Sequence, residues 1–140
     1  MADVFTPQKR SEIMSRVKAL DTAPERRVRK LAHRLGYRFR LHRRDLPGTP
    51  DLVFPRRRVA LCVHGCFWHR HAGCAAASMP QSNVGYWTRK FARNVARDAA
   101  AAEALTRQGW KVVVIWECET RDETKLAGRI RCALGASPQA

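Results

Sequence analysis

The sequence predicts a single-domain α/β fold in which a central sheet is flanked by helices. Two apolar runs, 58–63 and 110–116, have the character of buried strands, and the second is valine-rich throughout, as in a sheet covered on both faces. Between them, from Val84 to Gln108, apolar residues recur at helical spacing. A length of 140 residues, 45% of them apolar, suits one domain with one core.

The remaining elements complete the order α-β-β-β-α-β-α. A capping box formed by Thr22 and Glu25 predicts the start of the first helix, and an apolar stripe follows it. The segment 37–43 alternates apolar and basic residues, which predicts a half-buried strand with a basic outer face. We expect a short strand over 51–54 after a Pro-Gly turn, and a last helix over about 122–134.

The N-terminal segment, the lengths of the apolar runs and the cysteine count suggest the location of the protein in the cell. The first 20 residues are polar and basic, so we expect an arm that orders on a partner, followed by one domain over 21–140. We find neither a secretory signal nor an apolar run of about 18 residues, and we therefore expect a cytoplasmic protein with no membrane partner. Five cysteines, an odd count, favour reduced thiols and a metal over disulfides.

The charge of the chain predicts its partner. The net charge is +15 at pH 7, and 21 of the 27 basic residues are arginine. Nucleic acid is the first candidate, because its phosphates favour bidentate contacts from arginine, and an acidic membrane surface is the second. Compositional drift could explain the ratio of arginine to lysine, but it does not explain the net charge.

A structural zinc site is predicted in the polar segment 64–83, which needs a staple to hold its shape. Structural zinc takes four Cys or His ligands in a tetrahedron. The predicted ligands are Cys66, His71, Cys74 and, just past the last strand, Cys118. His69 is an alternative to His71, and a set of free thiols with a surface histidine is the alternative to any metal.

An isolated carboxylate precedes the first buried strand. Asp51 is the only acidic residue between Asp45 and Asp98, and its local alternative is a turn cap. His64 and His69 lie near the end of the adjacent strand. A carboxylate, two histidines and a basic surface suit metal-assisted hydrolysis of a phosphodiester, with Mg²⁺ on the carboxylate and a histidine moving the proton.

Aromatic residues beside charge suggest a contact with bases. Phe67 and Trp68 stand in the polar segment, where a core role is awkward, and apolar wedges of this kind unstack base steps. Trp87 has Lys90 and Asn94 within two helical turns, so all three are candidate DNA contacts. Packing on a helix face is the alternative for Trp87. For Glu25, the capping box explains the residue without any catalytic role.

Six motifs together resemble the very-short-patch-repair (Vsr) DNA mismatch endonucleases, in the order of that family and over about residues 8–132. They are D-T-x-P-E, L-P-G-x-P-D, V-H-G-C-F-W-H-x-H, Y-W-x-x-K, N-V-x-R-D and G-W-x-V-x-x-x-W-E-C. The resemblance implies a restriction-endonuclease-like fold with a mixed sheet. It also implies a nick in one strand 5′ to the T of a T:G mismatch, the product of 5-methylcytosine deamination, which starts very short patch repair.

The resemblance also implies roles at the matching positions. Asp51 and the backbone carbonyl of Val63 would bind Mg²⁺. His69 would be the general base, supported by Glu25 and assisted by His64. The four predicted zinc ligands would hold the structural zinc. The DNA wedge would consist of Phe67, Trp68 and Trp87, joined from the N-terminal arm by Met14.

The resulting picture is a nucleoid-associated bacterial monomer acting on mismatched double-stranded DNA, and recruitment by mismatch-repair proteins stays open. Two alternatives remain. One is a zinc-stapled sensor of distorted duplexes that does not cut. The other is a restriction-type endonuclease, which the paired wedge Phe67-Trp68 disfavours because perfect duplex resists unstacking.

Overall fold

The computed structural model describes residues 22–135, so the predicted arm and its Met14 lie outside the described residues. The predicted order of elements is confirmed. The helices are α1 (Ala23–Arg34), α2 (Val84–Arg107) and α3 (Glu123–Leu134). The strands are β1 (Arg40–Leu41), β2 (Leu52–Phe54), β3 (Val59–His64) and β4 (Lys111–Trp116).

The four strands form one mixed sheet in the order β1-β2-β3-β4. The first two pairings are antiparallel, whereas β3 and β4 run parallel, with His64 opposite Trp116 at their carboxyl ends. Because β2 and β3 are antiparallel, the start of β2 and the end of β3 lie at the same edge of the sheet. This edge therefore brings together Asp51, which precedes β2, and His64, which ends β3.

Helices cover both faces of the sheet, as the apolar runs predict. On one face, α1 and α3 pack on a core that includes Val28, Leu61 and Ile130. On the other face, the central strands contribute Ala60 and Val53 to a smaller core that also contains Leu105 of α2. Neighbouring residues of one strand thus enter opposite cores, which is the two-residue period of a strand buried on both sides. None of the helices within residues 22–135 is long and apolar enough to cross a membrane.

The predicted strand over 37–43 is wrong in its extent, because only Arg40 and Leu41 pair with β2. The chain leaves the extended conformation at His42, whose φ is +48°, in the left-handed region that few non-glycine residues adopt. The side chains do not alternate as predicted: Leu41 is 41% exposed, and the His42 ring turns inward towards α1. This bend matters for the site described below.

Candidate functional site

The Asp51 carboxylate is held across the sheet edge by a backbone donor. The N–H of Val63 donates to Asp51 Oδ2 at 2.7 Å. Burial raises the pKa of Asp51 to about 7, the Val63 N–H opposes this shift, and the neighbouring Glu25 carboxyl raises the pKa further. A buried acid with such a pKa is short of positive charge. It therefore suits an oxygen-seeking cation such as Mg²⁺.

Glu25 forms the second acid of this edge. Thr22 caps α1 as predicted, and its Oγ1 accepts from the Glu25 N–H at 3.4 Å. The capping box does not account for the side chain, because Glu25 is 1% exposed and its Oε2 lies 2.8 Å from His42 Nε2 and 3.2 Å from an Arg29 nitrogen. Ligand atoms of Glu25, His42 and Asp51 all lie within 4.8 Å of one another.

Two histidines and an acid occupy the end of β3 and the loop after it. The rings of His64 and His69 stack with centroids 3.9 Å apart and planes 7° from parallel. His69 Nδ1 lies 2.6 Å from the Oδ2 of Asp98, which α2 brings to this edge. Burial lowers the pKa of His64 to about 4; the nearby His69 lowers it further, and Asp98 opposes. His64 is therefore neutral at pH 7.

The four predicted metal ligands come together. Cys66, His71, Cys74 and Cys118 place their ligand atoms within 4.8 Å of one another. The sulfurs of Cys66 and Cys118 lie 3.7 Å and 3.5 Å from His71 Nδ1, close to the sulfur–nitrogen edge of a tetrahedron around zinc, which is about 3.6 Å. The His71 ring stacks on Trp116 at 4.3 Å, so its orientation is fixed. His69, the alternative ligand, instead belongs to the histidine cluster.

The side chain of Arg70 also holds the loop around these ligands together, a role that the sequence did not predict. The guanidinium of Arg70 donates to the carbonyls of Phe67, Ala77 and Ser78 and lies 4.1 Å from the centre of the Phe91 ring. It thus ties the beginning of the loop to its end and to α2. No period or spacing marks Arg70 among the 21 arginines.

The predicted aromatic wedge is part of a larger cluster. Phe67 and Trp68 are half-buried, with ring centres 5.1 Å apart, and both contact Trp87. Trp87 is only 3% exposed, which favours the alternative that it packs on a helix face. Asn94 donates to the Trp68 carbonyl at 3.1 Å and so holds the wedge loop on α2, while Lys90 is half-buried on the same helix.

Known proteins match this chain over most of its length. The family of the DNA mismatch endonuclease Vsr matches residues 2–75. The type II nicking enzyme V.XorIIP of Xanthomonas oryzae pv. oryzae is 50% identical over 137 residues, which cover 98% of this chain and 100% of that protein. The DNA mismatch endonuclease Vsr of Escherichia coli (strain K12) is 36% identical over 147 residues, covering 99% and 94%. This chain belongs to the Vsr family.

Membership in the Vsr family makes the protein a DNA endonuclease and confirms the resemblance seen in the motifs. In this Vsr-family chain, the acid that hydrogen-bonds to His69 is Asp98, whereas Glu25 hydrogen-bonds to His42 and Arg29. The expected support of His69 by Glu25 stays a prediction, and the structure adds Asp98 as a hydrogen-bonded partner of His69.

Asp98 and His42 are the two site residues that sequence reasoning missed. Asp98 ends the N-V-x-R-D motif of the Vsr resemblance, and that position was a usable signal. His42 carried none, because the alternation of 37–43 placed it on the outer face.

Replacing Asp51 with Asn should stabilise the protein in the absence of divalent ions as the pH rises. The folded state raises the pKa of Asp51 from about 4 to about 7, so it binds a proton that the unfolded state releases. Stability from this proton is complete below about pH 4 and is lost as the pH rises through 7. Melting temperatures of the Asn variant and the unchanged protein should agree at low pH and differ by several degrees at pH 8.

Asp45 supplies the control for this measurement, because it is exposed and its pKa is lowered by a hydrogen bond from Arg43. The Asp45→Asn variant should not gain stability at pH 8. Melting curves of the Asp51 variant that run parallel to those of the unchanged protein at every pH would contradict the prediction.

Proposed function

We propose that this protein is a Mg²⁺-dependent mismatch endonuclease that nicks one strand of DNA 5′ to the T of a T:G mismatch and so starts very short patch repair. The observation that carries the proposal is made at one sheet edge. The Asp51 carboxylate is bonded to Val63, and the next residue, His64, stacks on the His69 of the His69–Asp98 pair. A metal-binding carboxylate beside an oriented base is the equipment for hydrolysing a phosphodiester.

His69 is the proposed general base. The Asp98 carboxylate accepts the proton of Nδ1, which leaves Nε2 with its lone pair free to take a proton from water. Asp98 also stabilises the imidazolium that forms when His69 accepts this proton. His64, which is neutral and stacked on His69, fixes the plane of the base without adding a positive charge to it.

The Asp51 carboxylate and the backbone carbonyl of Val63 are the proposed Mg²⁺ ligands. Both fit a hard cation that prefers oxygen, and a bound cation would offset the burial that raises the pKa of Asp51. When bound, Mg²⁺ supplies charge stabilisation on the phosphate and orders water at the site. Asp51 is held for this role by the Val63 N–H, so its carboxylate does not need to reorganise.

Zinc is the proposed ion for the group Cys66, His71, Cys74 and Cys118. The sulfurs of Cys66 and Cys118 lie at distances from His71 Nδ1 that suit a tetrahedral zinc site. A backbone hydrogen bond from Ala76 lowers the pKa of Cys74, which favours the thiolate form that zinc binds. This site closes the loop that carries His69 and the wedge. We propose that it is structural.

The proposed DNA contacts surround this edge. Phe67 and Trp68 are half-buried at the surface, where they can unstack the step beside a mismatch, and the buried Trp87 packs against both rings. Lys90 and Asn94 flank them on α2, and Met14 of the arm completes the set. The net charge of +15 favours binding to the phosphate backbone. We propose a monomer that works on the nucleoid in the cytoplasm, with recruitment by mismatch-repair proteins left open.

A nicking assay on end-labelled duplexes tests the function directly. We expect a single-strand nick 5′ to the mismatched T in T:G duplexes, dependent on added Mg²⁺, and no cut in matched C:G duplexes. Several flanking sequences give the context preference. Tight binding to T:G without a nick would favour a non-cutting sensor, and cleavage of C:G duplexes would favour a restriction-type enzyme.

Replacing Asp98 with Asn should lower the single-turnover nicking rate about 100-fold or more, because general-base catalysis contributes at least that much and His69 loses its charged partner. DNA affinity should stay the same. Glu103→Gln on the same helix is the matched control, since Glu103 is exposed and its ion pair within residues 22–135 is with Arg107, away from the site. An unchanged rate in the Asp98 variant would remove it from the mechanism.

Replacing Cys74 with Ser should reduce the bound zinc below one ion per chain and lower the melting temperature, because a hydroxyl is a much weaker zinc ligand than a thiolate. Metal content by mass spectrometry and a thermal melt measure both. Cys132→Ser, at an exposed position outside the group, should change neither. Full zinc occupancy in the Cys74 variant would assign the ligand elsewhere.

A further inference from the structure

We propose that His42 is a positioning residue that holds the Glu25 carboxylate beside Asp51, so that the two acids act as one cation site. The proposal rests on the cation site at Asp51 described under the proposed function. His42 touches both acids through different groups. Its Nε2 lies 2.8 Å from Glu25 Oε2, and its backbone N–H donates to the Asp51 carbonyl at 3.1 Å.

The backbone shows how His42 reaches this position. β1 ends at Leu41, and the left-handed φ of +48° at His42 turns the chain out of the sheet. An extended residue here would point its ring to the face of the sheet opposite Leu41 and so away from α1, because Leu41 pairs with Leu52 of the core that α1 covers. Instead the His42 side chain is 19% exposed and lies over the first turn of α1, where Glu25 is.

Electrostatics explain why Glu25 needs such a partner. Two carboxyls whose oxygens lie within 4.8 Å of each other in a buried site repel when both are ionised. Arg29 also contacts Glu25, but it lies one turn along the same helix and cannot set the distance to another element. His42 is joined to the Asp51 strand, so its hydrogen bond fixes Glu25 relative to Asp51.

Groups that orient metal ligands usually matter for the affinity of the ion. Outer partners of a metal site fix the direction of the ligand lone pairs, and their loss typically weakens metal binding about 10–100-fold. A residue that only closed a turn would affect stability and leave the affinity for the ion unchanged. Metal affinity therefore separates the positioning role from a purely structural one.

Two substitutions at His42 separate the side-chain bond from the backbone conformation. Asn tolerates the left-handed conformation well but is too short to reach Glu25, whereas the Gln amide nitrogen extends to about the place of His Nε2. The probe is Mn²⁺, titrated into the full zinc-loaded chain without DNA and followed by electron paramagnetic resonance. We expect His42→Asn to bind Mn²⁺ about 10-fold or more weakly, and His42→Gln to keep the affinity of the unchanged protein.

Two controls define the site. His33→Asn removes an exposed histidine from α1 and should leave Mn²⁺ binding unchanged. Asp51→Asn should abolish the binding, which assigns it to this edge. Equal Mn²⁺ affinities for the Asn and Gln variants of His42 would overturn the proposal. It would also be overturned if the unchanged protein bound no Mn²⁺, or if its Mn²⁺ binding did not respond to Asp51→Asn.

A double-mutant cycle keeps the test decisive if the Asn variant is less stable. If His42 acts through Glu25, then adding His42→Gln or His42→Asn to Glu25→Gln should cause no further loss of Mn²⁺ affinity. Additive losses would contradict this. Because the binding assay contains no DNA, a chain that binds Mn²⁺ as expected but nicks no T:G duplex would refute the proposed function and leave the role of His42 standing.

Discussion

The hydrogen bond from the Val63 N–H to Asp51 Oδ2 connects the fold to the chemistry of this protein. This bond can form because β2 and β3 are antiparallel, so that β2 begins at the edge of the sheet where β3 ends. It fixes a carboxylate in a buried place, at the cost of a pKa near 7, and the next residue, His64, begins the histidine cluster. The Asp51 carboxylate and the histidine cluster are thus anchored on adjacent residues of β3, Val63 and His64.

The irregular loop after β3 is held by contacts among its own residues and by contacts with α2. The Cys and His group closes it at one side, Arg70 ties its carbonyls together at another, and Asn94 fixes Trp68 to α2. This loop carries His69 and the aromatic pair, so one small structure positions both the base and the proposed wedge.

Three acids divide the work at the edge in a way that their environments dictate. Asp51 is buried near Glu25, and burial raises its pKa, whereas Asp98 is 26% exposed and has a histidine at 2.6 Å. Glu25 stands between a histidine and an arginine. Asp51 is therefore suited to hold a cation, and Asp98 is suited to orient a histidine base. Glu25 can complete the cation site only if its carboxylate is held in a fixed direction.

The sequence by itself determined the order of elements and the Vsr family, because apolar periods and motifs are local properties of a chain. It also named four candidate zinc ligands, and their ligand atoms lie within 4.8 Å of one another. Tertiary structure decided which acid meets which histidine. Asp98 reaches His69 only because α2 packs across the sheet, and His42 turns inward only because its left-handed bend ends β1. Those pairings depend on distances between elements, and no local pattern in the sequence encodes such distances.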